Sequence, residues 1–379
     1  MRPKSPDWSR RLPDETPMRN RTAVPHVTLS LGKIGSLIDG LGEYSTQLGH
    51  HVAAAAPLWR ERWGVRFHFH LPARWIGLFG DEVGYLPVRP WQSRLNLQPR
   101  RHAIWHALNQ LGRIPPPPGT RHAVMTVHDL NPIYHDAPDA AARAIDQLRR
   151  RLSRFDEVIT LTHYVESDIR RHLGWQGPVQ VIANGVRDLS QAPRSPVAAL
   201  QGRPYFLHLS RMARSKNPHL LLDLAALWPD HALVMAGPDG SDSRALEARA
   251  LERGLDNVIF LRDIDDATKA WLYAGCEAFL FPSQTEGFGL PPLEAMCFGR
   301  PVFLSTLTSL PEIGGTAAAY WPELNAAAMD ATLRAELPRL RTRAAEIRAH
   351  ALAYRWADCA QACLALYARR LGIEAGAPP

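Results

Sequence analysis

The sequence is poor in cysteine and has no long apolar run, and each shortage removes a class of protein. Its four cysteines stand at 276, 297, 359 and 363. Cys359 and Cys363 lie one helical turn apart, but no second Cys or His pair stands at ligand spacing, so a zinc site is not expected. They read as small core residues of a reduced, cytoplasmic protein. No stretch approaches the ~20 consecutive apolar residues of a membrane helix. Residues 1–23 are rich in Arg and Pro without an apolar stretch, and read as a disordered basic extension rather than a signal peptide. No basic run is interleaved with aromatics, so nucleic acid is not an expected partner.

What remains is a chain of 379 residues with 46% hydrophobic and 21% charged content, enough for two globular domains. The net charge of +7 favours anionic partners such as nucleotides or phospholipid headgroups. Residues 24–31 read as a first strand, followed by a loop with Gly32, Gly35, Gly40 and Gly42 and a helix from about Glu43 to His50. Further strands are expected at 65–71, 103–108, 123–127, 157–162 and 179–182, with a helix over 138–154. The proline-bearing stretch 191–204 reads as a linker. After it, short β-rich runs at 205–209, 232–236, 258–261, 278–281 and 302–304 alternate with helical segments, the last run closing the series. This is the pattern of a parallel sheet wrapped by helices. The expected fold class is therefore α/β, with two Rossmann-like doubly wound domains (24–190 and 205–350) facing across a cleft. Ligands of such sheets sit beyond the carboxyl ends of the strands.

Two segments in those positions carry chemistry. In 286–294, Glu286 and Glu294 flank a loop with Gly287, Phe288 and Gly289, and Pro291 and Pro292 suit the first turn of a helix. A helix N-terminus favours phosphate, glycines allow close backbone approach, and carboxylates accept hydrogen bonds from sugar hydroxyls. Read alone, Glu294 equally complements a helix dipole and Glu286 equally is a solvated loop acid. In 209–217, Arg211 and Lys216 follow a strand, where cations neutralise a diphosphate; a basic loop is also commonly only a solvated one. The acids Asp263, Asp265 and Asp266 imitate a metal motif but read as a helix cap.

Together these segments resemble glycosyltransferase family 4, the retaining family with the GT-B fold, through the E-x7-E pair Glu286/Glu294, the run GFGLPPLEAM and the Arg-x4-Lys pair Arg211/Lys216. The likeness covers 203–322, including Ser309, Leu310, Pro311 and Glu312. It implies that Arg211 and Lys216 grip the donor diphosphate and that Glu286 faces the transferred sugar. It further implies that Phe288, Gly289 and Leu290 lie against the donor, that Glu294 holds the ribose, and that no metal or other cofactor takes part. More loosely, 36–44 is similar to the family's glycine loop, with Gly40 and Gly42 as donor contacts, although the usual adjacent glycine pair is missing. A dinucleotide fingerprint would need a third glycine after Gly42, so NAD is discounted. His128 sits where the family has a histidine near the reacting sugar, with Asp129 beside it. His106 and Gln110 are candidate acceptor contacts, unless the helical spacing of Ile104, Leu108 and Leu111 means simple packing. The resemblance also implies that a C-terminal helix within 351–379 crosses back onto the first domain.

The expected activity is retaining transfer of a sugar, mannose from GDP-mannose ahead of a UDP-sugar, to a glycan or lipid-linked glycan during bacterial polysaccharide synthesis. A sugar-nucleotide isomerase and a non-catalytic nucleotide-sugar binding protein are the alternatives. Trp59, Trp63, Trp75 and Trp91, with Arg60, Arg62, Arg66 and Arg74, suit peripheral contact with the inner face of the cell membrane, although core packing accounts equally well for the tryptophans.

Overall fold

The computed structural model describes residues 24–37 and 39–373; the expected extension at 1–23 lies outside them. The chain divides into two compact units. Unit 1 holds the described residues up to Leu130, then Pro138–Gly185 and those from Arg355 on; unit 2 holds Asn131–Ala137 and Val186–Tyr354.

Unit 1 contains β1 (His26–Ser30), α1 (Gly40–Trp63), β2 (Arg66–Leu71), β3 (Gly84–Pro87), β4 (Ile104–Ala107) and β5 (His122–Val127). The short helix α2 (Pro132–His135) belongs to unit 2, and unit 1 resumes with α3 (Pro138–Leu152), β6 (Glu157–Thr160), α4 (His163–Asp168) and β7 (Val179–Val181). The strands pair in parallel in the order β3-β2-β1-β4-β5-β6-β7. Alternation gives β1 and β2 two different faces. Val27, Leu29, Phe67 and Phe69 line the face on which Trp59 of α1 meets Phe67 edge-on at 5.4 Å. Thr28, Ser30, His68 and His70 line the other, where Ser30 bonds His70 at 2.9 Å and His70 bonds Gln92 at 3.0 Å.

The first helix differs from expectation. It runs for 24 residues rather than stopping near His50, carries Pro57 inside it, and ends on Gly64 in the left-handed conformation (φ 65°). β3 is an edge strand that the apolar pattern does not reveal.

Unit 2 repeats the scheme with β8 (Tyr205–Leu209), α5 (Pro218–Ala225), β9 (Ala232–Gly237), α6 (Ser241–Glu252), β10 (Val258–Arg262), α7 (Asp266–Gly275) and β11 (Ala278–Phe281). It continues through α8 (Leu290–Cys297), β12 (Val302–Ser305), α9 (Leu310–Gly314), β13 (Ala319–Trp321), α10 (Ala326–Arg341) and α11 (Ala344–Leu352). The parallel order is β10-β9-β8-β11-β12-β13, so β13 adds a strand beyond the expected end of the series at β12. The expected linker 191–204 is part of this unit: Leu200 is buried and the Ser195 N–H donates to Ala267.

The last helix, α12 (Trp356–Leu371), packs against α1 in unit 1. Tyr367 Oη bonds His106 Nδ1 at 2.6 Å, His106 Nε2 bonds Thr126 at 2.8 Å, and Thr126 bonds Tyr44 of α1 at 3.1 Å. Arg370 donates to the buried Glu157 at 2.8 Å. One polar chain thus ties α12, β4, β5 and α1 together. Cys359 and Cys363 are free and buried on this helix.

Unit 1 buries an unusual number of histidines in neutral form. Burial pushes His68 and His106 down to about 3, and His70, His102 and His128 down to about 4. Their native values lie below the unfolded value near 6.5, so the unfolded chain binds more protons below that pH. The stabilisation is complete above pH ~6.5 and is lost progressively on acidification, by about 1.4 kcal/mol per histidine for each pH unit down to its native value. Urea unfolding followed at pH 7.5, 6.5 and 5.5 should show a steep drop in midpoint across the lower interval. A flat profile would mean that these histidines are charged in the folded protein.

Candidate functional site

In unit 2 the strand order reverses between β8 and β11, which brings the loops after these two strands side by side. The β8 loop is held in an uncommon shape. Met212 has φ +54° and Asn217 φ +50°, and Gly237 leaves no room for a side chain, since a Cβ there would lie 1.9 Å from the Ser210 carbonyl oxygen. A relay fixes the turn: the Met212 N–H donates to Ser210 Oγ (3.0 Å), Ser210 Oγ pairs with His208 Nε2 (2.8 Å), and His208 Nδ1 meets the Leu280 carbonyl (2.8 Å). In the neutral imidazole these contacts place the proton on Nδ1 and leave Nε2 to accept from the serine. Burial, with Lys216 nearby, holds His208 down at about 4.

The β11 loop is stitched to it. The Gln284 N–H donates to Ser215 O (2.7 Å) and Asn217 Nδ2 donates to Pro282 O (2.9 Å). Lys216 Nζ consequently lies 2.5 Å from Glu286 Oε1, with both side chains 12% exposed. Thr308, at φ +52°, receives the Glu286 N–H on its hydroxyl (3.0 Å), and Ser309 Oγ donates to Glu286 O (2.9 Å). Arg211 is exposed and has no side-chain hydrogen-bond or ion-pair partner among the described residues.

Gly289 takes φ +110° and α8 starts at Leu290, which puts Pro291 and Pro292 in its first turn. With Pro291 and Pro292 lacking N–H groups, the helix end offers fewer donors than its position suggests. Glu294 falls in the second turn, and accepts a 2.8 Å bond from the buried Tyr273 hydroxyl. Burial, then the adjacent carboxylate, drives the Tyr273 phenol well above its ordinary value, so it stays a donor. Phe288 is buried edge-on against Tyr354, and its carbonyl accepts from Ser309 Oγ at 3.4 Å, so its ring packs rather than faces a ligand.

The acidic run after β10 is engaged in structure. Asp265 caps α7 by accepting from the Thr268 N–H (2.7 Å), and Asp266 makes a two-bonded pair with Arg187 (2.9 and 3.0 Å). Among the described residues no three His, Cys, Asp or Glu side chains assemble as a metal site.

In unit 1, Asp39 caps α1 through the Gly42 N–H (2.8 Å). A Cβ at Gly40 would meet open space, whereas one at Gly42 would sit 2.4 Å from the Leu37 backbone, so packing alone already requires glycine at 42. His128 bonds the Leu108 carbonyl through Nε2 (2.8 Å), which leaves the Nδ1 lone pair as its remaining polar group. Tyr44 packs edge-on to its ring at 4.7 Å. Gln110 accepts from the His128 N–H (3.1 Å) and donates to Asp129 O (3.2 Å), so it positions the end of β5. His106 is corrected: fully buried, with both ring nitrogens bonded, it has nothing to offer an acceptor and is a packing residue.

Sequence reasoning missed His208, Ser210, Thr308 and Tyr273. The only signal for the hydroxyl residues is their place directly after strands β8 and β12.

Two doubly wound parallel units with loops gathered at a strand-order reversal define a GT-B architecture. The family model "Glycosyltransferase Family 4" matches residues 34–188 and "Glycosyl transferases group 1" matches 192–325. Between them they span most of the chain, and the protein belongs to glycosyltransferase family 4. It is 32% identical over 217 residues to O-antigen chain mannosyltransferase B of Escherichia coli, covering 52% of this chain and 56% of that protein. The match thus spans just over half the length of the first curated relatives. Among solved structures, a sucrose-phosphate synthase from Thermosynechococcus elongatus superposes with a TM-score of 0.70 at 20% identity, covering 92% of this chain and 100% of the other. An Anabaena protein solved with UDP and glucose gives 0.67 at 18%, covering 90% and 99%. At such identities the likeness concerns the fold.

The relay predicts a stability effect. Ser210→Ala strands the Met212 N–H and the His208 lone pair, and should cost about 1–3 kcal/mol in chemical unfolding. An unchanged midpoint would show that the relay does not hold the turn.

Proposed function

We propose that the protein is a retaining glycosyltransferase whose unit 2 binds a nucleotide-activated sugar. The observation that carries this is the Lys216–Glu286 pair, held at the strand-order reversal, with Lys216 in the same loop as an Arg211 that has no side-chain partner among the described residues. A cation kept close to a carboxylate is poised to exchange that contact for the oxygens of a diphosphate. Arg211 and Lys216 then stabilise charge on the departing nucleoside diphosphate, where fixed cations help most. Glu286, released, accepts from hydroxyls of the transferred sugar, and Glu294, oriented by Tyr273, accepts from the ribose.

As the bond between the anomeric carbon and the phosphate oxygen breaks, the acceptor hydroxyl attacks from the same face. Its proton passes to the phosphate oxygen that leaves, so the configuration is kept and no metal is called for. His128 offers its Nδ1 lone pair to a sugar hydroxyl from unit 1, with Asp129 beside it. The donor we favour is GDP-mannose, in line with the relatives named as O-antigen mannosyltransferases; the acceptor is a glycan, free or lipid-linked. A UDP-sugar is the second reading, favoured by the neighbour solved with UDP. Among the described residues no helix is long and apolar enough to cross a membrane, and of the tryptophans considered for membrane contact, Trp59 is buried while Trp91 is 58% exposed.

Release of nucleoside diphosphate from a panel of GDP- and UDP-sugars, with and without a membrane extract as acceptor source, tests the reading. Acceptor-dependent release is expected; isomerised sugar, or binding without turnover, would overturn it. Lys216→Ala should lower turnover by roughly two orders of magnitude, as for other lost transition-state contacts. Glu294→Ala should weaken nucleotide binding by about tenfold, the effect of losing one charge-assisted hydrogen bond, and unchanged affinity in calorimetry would remove it from the site.

A further inference from the structure

A second feature of unit 1 lies at the edge opposite its candidate residues. A cavity of about 290 Å³ opens at the amino ends of β2 and β3, lined by Arg60, Arg66, His68, Glu82, Gly84 and Arg100 among others. His128 follows the carboxyl end of β5 in the same parallel sheet. The length of β2, about 17 Å at ~3.3 Å per residue, therefore separates the two edges.

The charge in this cavity is unbalanced. Glu82 is engaged by Arg60 at 2.8 Å. Arg66 and Arg100 are exposed at its rim, and neither has a side-chain partner among the described residues. Behind them His68 is 3% exposed; its Nε2 shares a 2.8 Å hydrogen bond with His26 Nδ1, and its own Nδ1 is buried with no partner. Nothing larger than glycine fits at 84, where a Cβ would stand 2.1 Å from that nitrogen. The positive potential is strong enough to register on the histidines. Burial first, then His26, Arg100, His102 and Arg66, bring His68 down to about 3, and burial with Arg100 and Arg66 lowers His26. One concave surface thus brings together two guanidiniums without a side-chain partner among the described residues and a buried ring nitrogen whose hydrogen-bonding capacity is unmet, a combination that suits an anion.

We propose that this cavity is a binding site for a phosphate group, gripped by Arg66 and Arg100 and backed by the His26–His68 pair. The guanidinium fork matches phosphate oxygens, and a phosphate monoester, at about −1.5 to −2 charges, balances two arginines where a carboxylate would leave one unmet. The volume, near the ~300 Å³ lower bound of small-molecule pockets, leaves room for a small organic group on the phosphate. The site is separate from the donor-binding residues of unit 2 and stands whether or not that assignment does. Its phosphate belongs either to a soluble metabolite or to a lipid headgroup.

Calorimetric titration of the full chain with inorganic phosphate tests it. Saturable binding is expected that persists in Lys216→Ala, where the phosphate contact proposed for unit 2 is removed, and that weakens by at least about tenfold in the Arg66→Gln/Arg100→Gln double variant. Glu82→Gln, which removes the competing acid and releases Arg60, should tighten binding, a gain that misfolding cannot imitate. Absence of saturable binding would overturn the proposal, as would binding that Lys216→Ala abolishes while the double variant leaves it intact. Sedimentation with phosphatidic acid/phosphatidylcholine vesicles against phosphatidylcholine alone separates the sources. Capture lost in the double variant assigns a lipid phosphate, and phosphate binding without capture assigns a soluble one.

Discussion

The candidate site depends on one contact, the approach of the Lys216 ammonium to the Glu286 carboxylate. Two charges at that range and that degree of burial stay together only if their backbones are held, because each has given up much of its water. The holding is done by the sheet order. β8 and β11 are hydrogen-bonded neighbours although three helices and two strands separate them in sequence, so their loops emerge side by side. The left-handed turns at Met212, Asn217 and Thr308, the glycine at 237 and the hydroxyls of Ser210, Ser283 and Ser309 follow from that demand. Each bends a loop back over the strand ends or satisfies a backbone group that the bend exposes.

The two units distribute polar groups differently. In unit 2 the buried polar atoms crowd the strand ends. In unit 1 they also stand within the sheet, where His68 and His70 of β2 are in register with Thr28 and Ser30 of β1. A face that pairs histidines with hydroxyls gains directional bonds and loses tolerance for charge. Arginines at its rim reinforce that intolerance, and this is the physical link between the neutral histidine layer and the electropositive cavity beside it.

Much of this was legible in the sequence where a residue's job is local. β11 and β12 are covered on both faces, so AFLF and VFLS read as strands without ambiguity. Glu286, Glu294, Arg211 and Lys216 stand out in the sequence through their resemblance to the family's spacing, and the structure brings two of them, Lys216 and Glu286, into contact. Elements whose identity comes from their neighbours were not legible. GYLP at β3 and AYW at β13 are too short to show a period, and the second half of α1 is masked by Pro57. His106 sits near a strand end yet faces α12, a partner 261 residues away, and no spacing discloses that. Ser210, Thr308 and Tyr273 act on backbone or on a distant carboxylate, so their chemistry appears only once the strands are ordered.

The placement of α12 has a consequence for how the chain comes into being. Apart from Asn131–Ala137, unit 2 is one continuous stretch, whereas unit 1 is opened by the first strand and closed by the last helix. During synthesis from the N-terminus, β1 and α1 emerge before the main stretch of unit 2 and Tyr367 and Arg370 only after it, so His106 and Glu157 wait for their partners while that stretch is being made. The nascent chain therefore carries an unfinished first domain while the second is made, with the flank of α1 that α12 covers still open, and the docking of α12 on α1 is the step that seals it.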